Sequence, residues 1–234
     1  MNLPAPTFEV RGLVKTYRQG KIPVDALSGI DLAVLAGEFL VVAGSSGSGK
    51  STLLHLLGGL DRPDRGEVLF SGTDLVTLSD SERTKIRRDK LGFVFQSFNL
   101  VPVLSAYENV EYGLWLEGMA RNERRQRVED VLQAVGLADR MHHRPDHLSG
   151  GQRQRVALAR ALVHEPVAVL ADEPTASLDS RTGSEIVELL LGLNSKRATT
   201  FVFATHDPAI IARAPRVVHL SDGRVTDDER RSGS

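Results

Sequence analysis

Three stretches of the chain carry residue types and spacings that could do chemistry. The first, Gly44-Ser45-Ser46-Gly47-Ser48-Gly49-Lys50-Ser51-Thr52, lies between an unbroken apolar run, Phe39 to Ala43, and a leucine-rich segment, Lys50 to Leu57. Glycines at 44, 47 and 49 allow the backbone to turn tightly and aim its N–H groups at phosphate oxygens. A helix following the loop adds partial positive charge at the same point. Lys50 can reach β- and γ-phosphates, and the Ser51 hydroxyl can ligate Mg²⁺. A flexible Gly/Ser linker would have a similar composition, but strand, loop and helix in this order are the context of a phosphate-binding loop. The loop implies a nucleoside triphosphate without saying which enzyme uses it.

The second stretch, Val169-Leu170-Ala171-Asp172-Glu173, puts two acids at the end of a buried-strand pattern. In open α/β sheets ligands sit outside the carboxyl ends of strands. Asp172 there suits a role on Mg²⁺. Glu173 is the better candidate to orient and deprotonate an attacking water. The third stretch is Leu148-Ser149-Gly150-Gly151-Gln152, followed by a helix-forming run from Arg153 to Ala161. Two glycines at a helix N-terminus make a second anion-binding device, although Ser149 could also be an ordinary helix cap. Two such devices in one chain invite the idea of two surfaces sharing one phosphate.

These groups need elements to hold them. The first third alternates apolar and polar residues between turn signals (Phe8-Glu9-Val10, Gly12, Gly29, Gly66 to Phe70) and reads as short strands and hairpins. Phe39 to Ala43, Val167 to Ala171 and Thr200 to Ala204 are continuous apolar runs, the form of strands buried on both faces. Helical spacing marks Tyr107 to Leu116, Asn122 to Val135 and about Gly183 to Leu193. Strands alternating with helices imply a mainly parallel α/β sheet. The expected organisation is one domain over 1–234: an α/β core over about 1–96 and 162–225, with an antiparallel β part at its N-terminus. A helical insertion occupies about 97–161, and a polar tail, 226–234, is expected to fray.

Composition narrows the classes. Lys and Arg number 29 against 30 Asp and Glu, a net charge of −1, which supplies no general drive toward nucleic acid or an anionic membrane. Arg124, Arg125 and Arg127 are interleaved with Glu123, Glu129 and Asp130 and read as a charged helix face. The absence of cysteine removes disulfides, thiolate metal sites and cysteine nucleophiles. His142, His143 and His147 lack recognisable ligand spacing and are read as a solvated loop. No secretory leader is visible at the start, and no apolar run approaches the ~20 residues a membrane helix needs.

Leu148 to Gln152 resembles the signature of the ABC (ATP-binding cassette) family, and the family's other motifs occur in order. The resemblance covers about Phe8 to Val225. It implies the P-loop ABC ATPase fold and Mg²⁺-dependent ATP hydrolysis. Tyr17 stands where the family stacks an aromatic on adenine. Gln96 resembles the glutamine that touches Mg²⁺ and water, and Ser177-Leu178-Asp179 resembles the D-loop. His206 resembles the switch histidine that contacts the γ-phosphate. The resemblance also implies a head-to-tail pair of cassettes, with each ATP held between one P-loop and the partner's Ser149, Gly150, Gly151 and Gln152.

Leu57 to Asp61, Leu78 to Lys90 and Phe95 to Pro102 resemble a bacterial subgroup that includes lipoprotein-release, macrolide-export and cell-division ATPases. That likeness implies a peripheral subunit at the cytoplasmic face of the cell membrane, driving a separate integral permease. The apolar run Phe98, Leu100, Val101, Pro102, Val103, Leu104 is expected to form part of a groove for a permease helix. Two other readings stay open: a soluble ABC-type ATPase acting on nucleic acid, and a nucleotide-dependent tether.

Overall fold

The computed structural model describes residues 5–20, 22–197 and 199–231. The chain runs through β1 (Pro6–Gln19), β2 (Ile22–Leu35), β3 (Phe39–Ala43), α1 (Lys50–Leu57), β4 (Arg65–Phe70) and β5 (Thr73–Asp74). It continues through α2 (Asp80–Lys90), β6 (Leu91–Val94), α3 (Ala106–Leu116), α4 (Arg121–Ala134) and α5 (Gly150–Leu162). The last part is β7 (Ala168–Asp172), α6 (Ser180–Arg197), β8 (Thr200–Thr205), α7 (Pro208–Ile211), β9 (Arg216–Ser221) and β10 (Arg224–Arg230).

The N-terminal strands form an antiparallel sheet in the order β2-β1-β4-β5. Here β1 and β2 are single long strands, each 14 residues, that absorb their glycines as irregularities in the pairing. At Gly66 (φ +92°) β4 lies so close to β1 that a Cβ would stand 2.6 Å from the carbonyl oxygens of Arg11 and Gly12. Only glycine allows that approach.

The second sheet has the order β10-β9-β3-β8-β7-β6, parallel except for β10. Its central strands bury both faces, as their unbroken apolar runs require. Phe39, Val41 and Ala43 of β3 point into one apolar cluster, shared with α3, α4, α5 and α6. Leu40 and Val42 point into the other, shared with α1 and the antiparallel sheet. The Phe39 and Phe203 rings stack at 4.9 Å in the first cluster. Ser79, Ser105 and Ser149 each close a reciprocal capping box on α2, α3 and α5, satisfying N–H groups that a helix leaves free. Among the described residues no helix is long and apolar enough to cross a membrane.

The polar tail differs from expectation. Thr226 to Arg230 do not fray; they continue β10, paired with β9 across the Asp222-Gly223 turn, whose residues both have positive φ. Ser232 to Ser234 lie outside the described residues. The anchor is Arg216 on β9, a buried guanidinium. Its Nε and Nη2 donate to the two oxygens of Asp228 at 2.8 and 2.7 Å, and its Nη1 donates to Glu38 at 2.9 Å and to the Ala33 carbonyl at 2.8 Å. A two-pronged pair whose guanidinium is buried binds more firmly than a single contact between two exposed groups.

Replacing Arg216 by methionine keeps the stem but leaves the largely buried Glu38 without its closest cation and Asp228 without its two-pronged partner. The expected loss is ~2–4 kcal/mol of stability in urea unfolding. Arg216 also holds the Asp228 carboxyl below its ordinary range. A lowered carboxylate pKa stabilises fully above the unfolded value of about 4 and is lost as pH falls through the lower folded value. The gap between wild type and Arg216→Met should therefore narrow in acid, and a gap independent of pH between 7 and 3 would contradict the assignment.

Candidate active site

The strand order decides which chain ends meet. β3, β8, β7 and β6 are successive neighbours, and the loops leaving their carboxyl ends begin with Gly44, His206, Glu173 and Phe95-Gln96. One cleft of about 350 Å³ opens above them. It is lined by Ser46, Gly47, Gly49, Lys50, Ser51 and Thr52, with Gln96, Glu173 and His206 on its far side.

Within the glycine loop the tight fold has a steric cause. A Cβ on Gly44 would collide with the Leu220 carbonyl, and one on Gly49 (φ +104°) with the Ala26 carbonyl. The Ser48 hydroxyl is buried without a hydrogen-bond partner. Lys50 Nζ donates to the carbonyls of Gly44 (2.8 Å) and Ser45 (2.9 Å), and it lies 3.7 Å from Glu173 Oε1. The Ser51 hydroxyl donates to Asp172 Oδ1 at 3.0 Å. Two hard oxygen donors this close, beside a loop of free amides, match the needs of Mg²⁺ next to a polyphosphate.

Glu173 is the most constrained group in the cleft. Its backbone has a positive φ (+46°), rare for a side chain without local hydrogen-bonding habits. Its own N–H is fixed on the Ala204 carbonyl of β8 at 2.9 Å. One carboxylate oxygen meets His206 Nδ1 at 2.8 Å, and the other accepts from the Thr205 hydroxyl at 3.3 Å. Since a carboxylate accepts, His206 makes this contact with its proton on Nδ1. The strained backbone is over-determined by these partners, as such residues at working sites generally are.

Three groups of predicted residues do not line this cleft. Ser149, Gly150, Gly151 and Gln152 begin α5 and do not line it. Asp179 instead caps α6, accepting from the Thr182 N–H at 3.0 Å, and the Ser177 carbonyl and the Leu178 side chain lie against Gly150. Tyr17 sits on β1 opposite Val24 of β2. Its hydroxyl donates to Asp61 at 2.8 Å, and the Lys15 ammonium lies 5.0 Å above its ring. Burial and the Asp61 hydrogen bond hold the Tyr17 phenol above its usual pKa. Val24, Asp25 and Ala26 line the cleft beside the glycine loop. Sequence reasoning missed all three, because nothing in their types marks them.

A second concavity lies beside the apolar run. A groove of about 370 Å³ runs between β6 and α3, walled by Phe93, Phe95, Asn99, Gly113, Leu114 and Arg160. None of Phe98, Leu100, Val101, Pro102, Val103 or Leu104 lines it. Phe98 and Asn99, both at positive φ, turn the chain away, and the Asn109 amide then stitches Val101 and Leu104 into a loop ahead of α3. Val103 is left 70% exposed.

Residues 27–176 of the chain match the family pattern described as ABC transporter. The macrolide export ATP-binding/permease protein MacB of Nitrosomonas europaea is 49% identical over 95% of this chain, which spans only 34% of that protein. The lipoprotein-releasing system ATP-binding protein LolD of Alcanivorax borkumensis is 45% identical, with 95% of this chain and 98% of that protein aligned. A solved structure, the ATP-binding cassette MJ0796 of Methanocaldococcus jannaschii as a dimer in a post-hydrolysis state bound to ADP and Pi, superposes with a TM-score of 0.89. It is 44% identical over 97% of this chain and 100% of that one. With these matches running through the glycine loop, the signature turn and the acid pair, the chain belongs to the ABC transporter family of ATP-binding, ATP-hydrolysing cassettes.

Proposed function

We propose that this cassette hydrolyses Mg·ATP by in-line attack of water on the γ-phosphorus and drives a separate integral permease of the lipoprotein-release and macrolide-export type. The observation that carries the reading is Glu173, held between His206 and Thr205 at the mouth of the glycine loop. The loop amides and Lys50 hold the phosphates. Ser51, Asp172 and Gln96 would hold Mg²⁺, which neutralises charge on the β- and γ-oxygens when bound. Glu173 takes the water proton while His206 fixes its carboxylate and faces the γ-phosphate. Most of the rate then comes from positioning and charge stabilisation. Tyr17 offers its free ring face to adenine.

Ser149, Gly150, Gly151, Gln152 and Asp179 belong to the ATP of a second copy. None of them lines the cleft of its own chain, and Ser149 to Gln152 present a capped helix N-terminus to an incoming anion. The dimeric cassette with ADP and Pi named above supports this reading. The groove beside β6 and α3 takes a helix of the permease, which keeps the cassette at the cytoplasmic face of the membrane. Macrolide export and lipoprotein release are what the named relatives do; the likeness supports the class of permease.

Three measurements test these roles. Glu173→Gln should bind ATP normally, turn over roughly 10²-fold more slowly or worse, and accumulate as an ATP-bound dimer in size-exclusion chromatography; wild-type turnover would remove Glu173 from its role. Lys50→Ala should weaken ATP binding at least about tenfold, the scale of a lost charge-assisted hydrogen bond, and unchanged affinity in a titration would contradict the loop assignment. Finally, Lys50→Ala and Gly150→Asp proteins should each be inactive alone. Their mixture should regain ATPase activity, because one of the two composite sites in a mixed pair is intact. A mixture as inactive as its parts would mean that each chain closes its own site.

A further inference from the structure

Gln96 reaches the cleft from a loop whose shape is not the one its residues prefer. Phe98 and Asn99 are consecutive non-glycine residues at φ +61° and +48°. Each costs free energy in that region, more for the aromatic residue than for asparagine. Within the turn only Phe98 N–H to the Phe95 carbonyl (3.1 Å) and Asn99 N–H to the Ser97 carbonyl (2.7 Å) repay it.

Outside the turn, the Ser177 hydroxyl donates to the Gln96 carbonyl at 3.4 Å, and the other contacts come from α5, the helix that begins with the signature turn. Arg160 Nη2 donates to the Phe98 carbonyl at 2.9 Å, and Nη1 donates to the Asn99 carbonyl at 2.5 Å. Two turns earlier on the same helix, the Arg153 guanidinium lies 5.2 Å over the Phe98 ring. The rigid fork of a guanidinium suits two adjacent carbonyls in a way an ammonium cannot. The same side chain forms part of the groove wall, next to Asn99. A strained turn thus connects the nucleotide cleft with the groove, and one arginine grips it at both carbonyls.

We propose that Arg160 is a positioning residue for Gln96: its two-pronged grip on the Phe98 and Asn99 carbonyls keeps the strained turn in the conformation that points Gln96 at the nucleotide. The inference rests on the proposed role of Gln96 and adds to it a group that sets its position. Arg160 does not line the nucleotide cleft. It acts only through the turn.

The test is steady-state ATPase kinetics of the full chain in five forms besides wild type: Gln96→Ala, Arg160→Met, Arg160→Lys, Gln96→Ala with Arg160→Met, and Arg160→Met with Asn99→Gly. Arg160→Met should lower kcat roughly 10- to 100-fold, as a displaced active-site group does, with KM for ATP changed by less than about twofold because the glycine loop is untouched. Arg160→Lys should fall between wild type and Arg160→Met, and it carries the comparison should the methionine variant not fold. The double variant lacking Gln96 should be no slower than Gln96→Ala alone, since a grip with nothing to position has no further effect. Asn99→Gly, which adopts positive φ without cost, should restore part of the lost turnover; a residue needed only for folding would not be rescued in kcat at unchanged KM. Wild-type kcat in Arg160→Met and Arg160→Lys, or losses that add in full to that of Gln96→Ala, would overturn the inference while leaving Gln96 in its role. Wild-type turnover in Gln96→Ala would instead overturn the reading of Gln96 itself, and the inference with it.

Discussion

The glycine loop, the acid pair, His206 and Gln96 all follow the carboxyl ends of four neighbouring parallel strands, and that shared edge is the constraint on which the site depends. β3 delivers the glycine loop, β8 delivers Thr205 and His206, β7 delivers Asp172 and Glu173, and β6 leads to Gln96. Neighbouring strands lie about 4.8 Å apart, so side chains on adjacent ends meet without long reaches. The His206–Glu173 contact of 2.8 Å and the Ser51–Asp172 contact of 3.0 Å are direct consequences. A strand can hold such a position only if its own register is fixed. The two-faced burial of β3, β7 and β8 does this, because a one-residue slip would exchange the residues facing the two apolar clusters.

The two clusters also divide the molecule by task. On one side of the sheet, α1 and the antiparallel sheet back the glycine loop, and Gly44 and Gly49 sit against carbonyls of β9's end and β2 with no room for a Cβ. On the other side, α3, α4, α5 and α6 share the core with the same strands. The passage between the two sides is narrow at Gly92, where a Cβ would collide with the Ala161 carbonyl of α5. The helix carrying the signature turn is therefore pressed on β6 near its C-terminal end, one residue from Arg160, while its N-terminal end stands away from the nucleotide cleft.

What the sequence made legible was whatever residue type alone determines. Continuous apolar runs identified β3, β7 and β8, since a strand buried on two faces can hardly be written otherwise. The glycine loop, the acid pair and the signature turn were legible for the same reason: phosphate binding needs glycine amides and a lysine at fixed spacing. The β9–β10 hairpin was not recognised, although Asp222-Gly223 is a strong turn signal, because Thr226 to Arg230 are polar and the partner that orders them, Arg216, is twelve residues from Asp228. The helix α2 was quoted only for its likeness to relatives; its capping box, Ser79 with Glu82, was the local signal for it. The apolar run does not line the groove beside β6 and α3. An apolar run such as Leu100 to Leu104 looks the same on paper whether it lines a groove or folds into a loop, and the decision lay in the positive φ of Phe98 and Asn99, which neither residue type announces.

That last case says something about how such a cassette can be both stable and responsive. Burial on two faces makes the strand ends stiff, so the glycine loop, Asp172 and Glu173 have little freedom to adjust to a partner. Gln96 differs: it follows a short edge strand, β6, with a neighbour on one side only, and the turn after it is held by side chains of α5 instead of by a sheet. A segment kept in an uphill conformation by a few polar contacts changes its arrangement for a smaller input than a packed strand does. Under the proposed function this is the place where sensitivity to a partner can be built without loosening the phosphate grip. The strain at Phe98 and Asn99 and the rigidity of the neighbouring strands are thus two halves of one arrangement, with the fixed half binding the nucleotide and the uphill half setting when it is cleaved.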